Sequence, residues 1–294
     1  KENLKSDMHK GFDASITWTD HINDFNYSIG GNITYSRFWD WEQYKPRFSN
    51  SWDEYRNSIW HRVGYVNWGY EAIGRFQNWE QIANYPIDND RKGNRTVVPG
   101  DIMYKDQNND GVINYLDERP IGYRVDSTPT LNFGINLSAS WKGFDLAMDW
   151  TGSGMTSWNQ CYETARPFQN DGNSPDEVLK DAWHLSDIWD ANSPLIPGKY
   201  PMIRLNTDET SAYDKSSYWL HNVTYLKLRN LEVGYTFPKT WLNKTGISNL
   251  RLFVSGTNLL TLSNLSVMDP ECASDNGLDY PPMRVINIGV NLKF

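Results

Sequence analysis

Between Asp106 and Asp117 the chain places oxygen-bearing side chains at nearly every second position. Asp106, Asn108, Asp110, Asn114 and Asp117, with the main-chain carbonyl of Val112, match the ligand spacing of an EF-hand calcium loop. Gly111 stands where such a loop turns sharply. Carboxylate and amide oxygens in this order wrap one hard cation, so calcium is the expected ion. The last ligand position is Asp117 rather than a bidentate Glu, with Glu118 beside it. The competing expectation is an Asx-rich turn that holds no ion. No EF-hand helices are expected on either side, so the ion's role would be to pin a long loop.

A second group is aromatic. The segment 153–222 holds Trp158, Tyr162, Trp183, Trp189, Tyr213, Tyr218 and Trp219. Exposed rings of this kind stack on sugar faces, which makes them candidate substrate contacts. The favoured expectation is that they pack the segment's own small core or touch a partner. A short helix is expected over Asp176–Trp189, with Val178, Leu179, Ala182 and Trp183 on one side. The five histidines show no zinc spacing. No Gly-x-Ser-x-Gly segment or Ser/His/Asp order is visible. Cys161 and Cys272 both fall in expected loops, where a disulfide is possible but nothing in the sequence requires it.

The elements that must position these groups are strands. Ile286, Ile288, Val290, Leu292 and Phe294 alternate with Asn287, Gly289, Asn291 and Lys293. A period of two makes one face apolar and the other wet. The same alternation runs through Phe12–Trp18, Phe25–Tyr35, Leu131–Trp141 and Phe144–Trp150, and less cleanly through Leu250–Val254. Several of these runs reach the roughly 9–11 residues that a strand needs to cross a bilayer within a barrel. A typical soluble strand has about 5–6. Ile135, Leu137, Leu146 and Ile288 are therefore expected to face lipid. The Ser, Thr, Asn, Asp and Gly of the other face suit a hydrated lumen, and Trp18, Tyr35, Trp141 and Trp150 suit an interfacial girdle.

Composition agrees. Net charge is −8, which disfavours nucleic acid as a partner. The mean hydropathy of −0.66 rules out a helical membrane protein, and no run approaches the roughly 18 apolar residues of a spanning helix. It leaves a barrel open, because only alternate strand residues meet lipid. No signal peptide begins the chain, so it is expected to start inside a longer precursor.

Short turns at 19–24 and 141–143 are expected on the periplasmic side, with long loops at 37–57, 76–129, 153–222 and 259–283 outside. Parity is read as placing two further strands between 37 and 129, one of them near Arg62–Phe76, for roughly nine strands in this chain. Within 225–237 the apolar set changes from even to odd positions. Either a bulge slips the register near Arg229, or Lys227 and Arg229 sit at the outer rim above the lipid. The rim is the favoured expectation, because an Arg facing lipid at mid-membrane costs about 2–4 kcal/mol.

Four blocks, in order, resemble the SusC/RagA family of TonB-dependent transporters. They are Pro99-Gly-Asp-Ile-Met-Tyr-Lys-Asp-Gln-Asn-Asn-Asp-Gly-Val-Ile113 with the strands that follow, Tyr225-Leu-Lys-Leu-Arg-Asn-Leu-Glu-Val-Gly-Tyr-Thr-Phe-Pro238, Leu250-Arg-Leu-Phe-Val-Ser-Gly-Thr-Asn-Leu-Leu260, and the final strand. The resemblance implies an all-β, antiparallel transmembrane barrel of 22 strands closed by an N-terminal plug, in the outer membrane of a Gram-negative bacterium. It implies TonB-driven import of a glycan or peptide beneath a SusD-like lipoprotein lid, and no enzyme activity. This chain would supply the C-terminal part of the barrel, with long extracellular loops. Its partners would be the remaining strands and plug, the lid, the TonB complex and membrane lipid. The alternative function is a soluble or surface-attached carbohydrate-binding β-protein, with an outer-membrane barrel enzyme behind it.

Overall fold

Seven long strands carry the alternation in a computed structural model, which describes residues 3–44, 46–124, 128–205, 209–243, 246–271 and 276–294. They are β1 (Lys5–Ile22), β2 (Phe25–Gln43), β3 (Leu131–Trp141), β4 (Phe144–Asn159), β5 (Leu220–Thr236), β6 (Asn249–Ser263) and β7 (Val285–Lys293). Each pairs antiparallel with the next in sequence, in one meander with β1 and β7 at its edges. Among the described residues no helix is long and apolar enough to cross a membrane, which says nothing of crossing by strands.

Register makes the two faces continuous. Trp18, Ile29, Leu137, Met148, Leu231, Gly256 and Ile286 lie opposite one another from β1 to β7. One step along, Thr19, Ser28, Ser138, Ala147, Glu232, Ser255 and Asn287 form the matching row on the other face. A slip of one residue at any pair would turn a whole strand over. The apolar side stands uncovered: Ile16 is 77% exposed and Ile288 is 83% exposed. Ile135 and Leu146 lie in the same set of outward positions, opposite Trp150 and Val233.

The ends of the sheet differ. At one end β1 and β2 are joined by Asn23–Asp24, and β3 and β4 by Lys142–Gly143. Lys142 and Gly143 both have positive φ (47° and 93°), the geometry of a tight hairpin turn. A Cβ on Gly143 would stand 2.6 Å from the Thr236 carbonyl oxygen. At the other end lie the described parts of the long segments 44–130, 160–219 and 264–284.

The two strands expected between 37 and 129 are not formed. Beyond the end of β2, the described part of that segment holds strands of at most four residues, and of these only Arg62–Val63 joins the main sheet, beside β2. Instead β2 pairs directly with β3, from Phe25↔Trp141 to Tyr35↔Leu131. A strand that rises and a neighbour that descends need nothing between them, so parity is met by seven strands rather than nine.

The expected rim position of Lys227 and Arg229 is also corrected. The register of β5 shifts between Leu228 and Asn230 against both neighbours. Leu226 and Leu228 therefore face outward before the bulge, Leu231 and Val233 after it, and both cations point to the polar face. An extra residue turns the strand, which is why the apolar set changes parity.

The described parts of segments 44–124 and 160–219 fold together. Tyr70, Ile102, Tyr104 and Ile113 of the first share a core with Val178, Ala182, Tyr200, Ala212, Tyr213 and Trp219 of the second. The helix expected over 176–189 is shorter, Asp176–Lys180. Beyond it Ala182 bridges to Tyr200, and His184–Leu185 pairs with Leu195–Ile196. Of the four residues expected on one side of that helix, Ala182 and Trp183 lie beyond its end; they and Val178 are buried, whereas Leu179 is exposed.

Candidate functional site

The polar face of the sheet and the loop cluster above it form one continuous candidate site. Asn136 donates to Asp149 at 2.7 Å, and the Ser153 hydroxyl donates to Asn132 at 2.7 Å. Asn32, Asn132, Asn136, Asp149 and Ser153, with Tyr225, Arg229 and Glu271, line a recess in this wall. Toward the turn end, Arg251 binds both Asp145 and Glu232, 2.6 Å from the latter. The wall is thus a ladder of amides, hydroxyls and paired charges, able to exchange hydrogen bonds with a polar solute. Alternation located these positions but said nothing of their pairing across strands.

The upper wall is covered by a segment that alternation did not place. The segment after β6 folds back onto the polar face, where Leu265 packs with Trp158, Val223 and Tyr225. Lys227, 1% exposed, donates to Asp269 at 2.6 Å and to Glu271 at 2.8 Å. Arg229 binds the other Glu271 oxygen and donates to Asn258 at 2.9 Å. Burial pushes the Glu271 carboxyl up, but hydrogen bonds from Lys227 and Arg229 outweigh it and hold the group below the ordinary Glu range. The usable signal was the pair of cations two apart at a parity change, where a bulge turns charge inward.

In the cation-like loop, hydrogen bonds gather most of the expected ligand positions. Asp106 accepts from the backbone N–H of Asn109 and Gly111, at 2.6 and 2.8 Å. Asn108 donates to Asp110, and Asp110 accepts from the Val112 N–H. Buried Asp117 accepts from the N–H of Gln107 and Asn114, and Asn114 donates to the Val112 carbonyl. Gly111 has φ +82°, as the turn requires. Among the described residues no three His, Cys, Asp or Glu side chains stand together as a metal cluster. The oxygen set here is mixed, three carboxylates with two amides and one carbonyl. Each oxygen that accepts a single N–H keeps a second lone pair for a cation. That donor chemistry fits calcium. A parallel bridge from Val112 to Asp88 ties the loop to the cluster.

The aromatic candidates separate. Trp158, Trp183, Tyr213 and Trp219 are buried, and the Trp219 indole N–H donates to the Ala212 carbonyl at 2.8 Å. Their ring faces are taken up by neighbours. Tyr218 is half-buried, edge-on to Trp219, and Arg75 donates to its hydroxyl. Tyr162 and Trp189 are exposed, Trp189 at 90%. Cys161 precedes a single 3-10 turn, and the Cys272 half of the expected pair lies outside the described residues.

No protein-family model matches the chain. It is 30% identical over 243 residues to TonB-dependent receptor P3 of Formosa agariphila, covering 76% of this chain and 22% of that protein. It is 24% identical over 252 residues to TonB-dependent receptor SusC of Bacteroides thetaiotaomicron, covering 80% and 20%. The chain thus spans about a fifth of the length of the curated relatives it matches. In fold it matches the RagAB peptide transporter with a TM-score of 0.66 and 21% identity, over 99% of this chain and 29% of that one. The RagAB peptide importer in its closed-closed state matches equally, with a TM-score of 0.66 and 22% identity over 100% and 30%. These relatives are receptors and transporters, not enzymes.

Proposed function

This chain is a SusC/RagA-type TonB-dependent receptor sequence by relationship and by fold, and on that premise we propose that it forms the C-terminal wall of an outer-membrane nutrient importer. The observation that carries this reading is the pair of rows across all seven strands, one apolar but for Gly256 and one polar but for Ala147. A bilayer outside and water inside is the setting in which both rows are satisfied. The edges β1 and β7 pair with the remaining strands, because backbone groups left open in lipid have no partners. A soluble carbohydrate-binding sheet would leave the apolar row against water.

Import then follows the division of labour in such machines. TonB acts on a plug borne by another part of the protein, and the solute crosses along the amide- and hydroxyl-lined face. The cluster of 44–124 and 160–219 receives a SusD-like lid. The substrate is a glycan or a peptide, and the exposure of Tyr162 and Trp189 supports them, ahead of half-buried Tyr218, as rings that would meet it or the lid. Calcium bound by Asp106, Asn108, Asp110, Val112, Asn114 and Asp117 braces the cluster.

Excising 160–219 from the full transporter, with a short linker in its place, tests the reading. Lid capture and uptake should both fall while the barrel keeps its heat-dependent gel mobility. Uptake and lid capture at the intact level would overturn the role given to the cluster.

A further inference from the structure

Beyond Asn264 the segment after β6 is held to the wall by side chains alone. Asn264 donates from its own N–H to the Thr224 carbonyl at 3.3 Å, and its side chain accepts from the Thr224 N–H at 2.9 Å. Further along, main-chain N–H groups turn back on the segment itself: Leu265 donates to the Ser263 hydroxyl and Glu271 to Asp269. Among the described residues no main-chain hydrogen bond joins 265–271 to β4 or β5. What remains is an apolar contact of Leu265, Val267 and Met268 with Trp158, Val223 and Tyr225, and the charged contacts of Asp269 and Glu271. A strap tied in this way can lift as a unit without breaking a strand ladder.

The tip of the strap reaches deep. Lys227 stands opposite Thr151, Thr151 opposite Gly134, and Gly134 opposite Asn32, so the charged latch lies within the lipid-length run Leu131–Trp141. The two cations differ in access. Lys227 is closed beneath the tip, whereas the Arg229 side chain is 31% exposed beside the recess of Asn132, Asn136 and Ser153. One carboxylate spans both: Glu271 sets one oxygen on Lys227 and the other on Arg229. Asp269 sets both of its oxygens on Lys227, at 2.6 and 2.8 Å. Lifting the tip alone would strand two cations on the wall, and that uncompensated charge keeps the strap shut. A carboxylate arriving from the recess removes the penalty, because it gives Arg229, and then Lys227, the charge-assisted hydrogen bonds that Glu271 withdraws.

We propose that Asp269 and Glu271 mask a carboxylate-binding site formed by Lys227 and Arg229, and that a carboxylate-bearing solute opens the strap by taking their place. This rests on the importer reading above, which makes the polar face the route of the solute. It narrows the substrate to one that carries a carboxyl group, on an acidic sugar or on a peptide.

The test uses the full transporter in detergent, with chymotrypsin cleavage at Met268, followed by mass spectrometry, as the report of strap opening. The probes are tetraglutamate against tetraglutamine, and tetragalacturonate against its methyl ester. In the wild type an acidic probe should raise the cleavage rate saturably, by about tenfold, and its neutral counterpart should leave it unchanged. Acceleration by only one of the acidic probes assigns the carboxylate to that source. Asp269→Asn/Glu271→Gln, which removes the internal competitor, should be cut fast without probe and should bind the acidic probe about tenfold more tightly, because the open state is no longer a minor one. Lys227→Gln/Arg229→Gln should also be cut fast and should lose probe binding. A wild-type cleavage rate unmoved by both acidic probes, in protein with barrel-like gel mobility, would overturn the site and leave the importer reading standing. Undiminished probe binding by the variant lacking both cations would do the same. If either variant fails to fold, the acidic-against-neutral comparison on the wild type decides alone. A wild-type protein that never enters the membrane as a barrel would overturn both.

Discussion

Lys227 Nζ lies 2.8 Å from Glu271 Oε2, joining the middle of a wall strand to a loop that starts at the strand after it. The contact exists because the bulge in β5 turns Lys227 from the outer face to the inner one. Removing one partner of a buried ion pair leaves the other charge uncompensated. Lys227→Met should weaken the docking of 264–271 by about 3 kcal/mol, the low end for buried pairs because both carboxylates keep partial water access. Chymotrypsin should then cut faster at Leu265 and Met268, with the barrel's gel mobility unchanged. Cleavage at the wild-type rate would show that the loop is held by other means.

The same contact carries a pH dependence. Glu271 is ionised more easily in the docked loop than in free chain, so its contribution is fully present above the ordinary Glu value of about 4.3. It is lost as pH falls through the lowered value. Hydrogen exchange of residues 264–271 should therefore stay slow at neutral pH and quicken in acid below pH 4. Glu271→Gln should flatten that dependence, and an unchanged acid profile in this variant would place the titrating group elsewhere.

Calcium makes a separate prediction. At a hundredfold excess over its dissociation constant a single bound ion stabilises by about 2.7 kcal/mol. Calcium should raise the melting temperature of the loop cluster relative to chelator. Asp106→Asn/Asp110→Asn should remove that rise and leave the barrel transition in place. No difference between millimolar calcium and chelator would mean that 106–117 is an Asx turn closed by its own N–H groups.

The strands were legible where lipid and water act on alternate residues, and illegible where they do not. Leu131–Trp141 is read to its ends because every residue there faces one medium or the other. β4 continues to Asn159 through Thr151-Gly-Ser-Gly-Met-Thr-Ser-Trp, where pairing persists but no lipid demands apolar side chains. The alternation stops there before the strand does. The parity change at Arg229 was visible, but only the register against β4 and β6 decides between a bulge and the rim. The cluster core was hidden for another reason: Tyr104 meets Ser211, and Asn89 meets both Ser211 and Ile102, across contacts that leave no local period. The calcium-like loop is local, so its hydrogen-bonded turn was the part of the candidate site read most directly from spacing.

The central claim is that the two faces of this sheet meet different solvents, and adjacent substitutions on β3 test it most directly. Ile135 stands outward opposite Trp150, and Asn136 inward opposite Asp149. Folding of the full transporter into lipid, followed by heat-dependent gel mobility across a urea series, reports each cost. Ile135→Arg should destabilise the barrel by about 2–4 kcal/mol, and Asn136→Arg by well under 1. Equal costs at the two positions would contradict the assignment of the outward face to the bilayer.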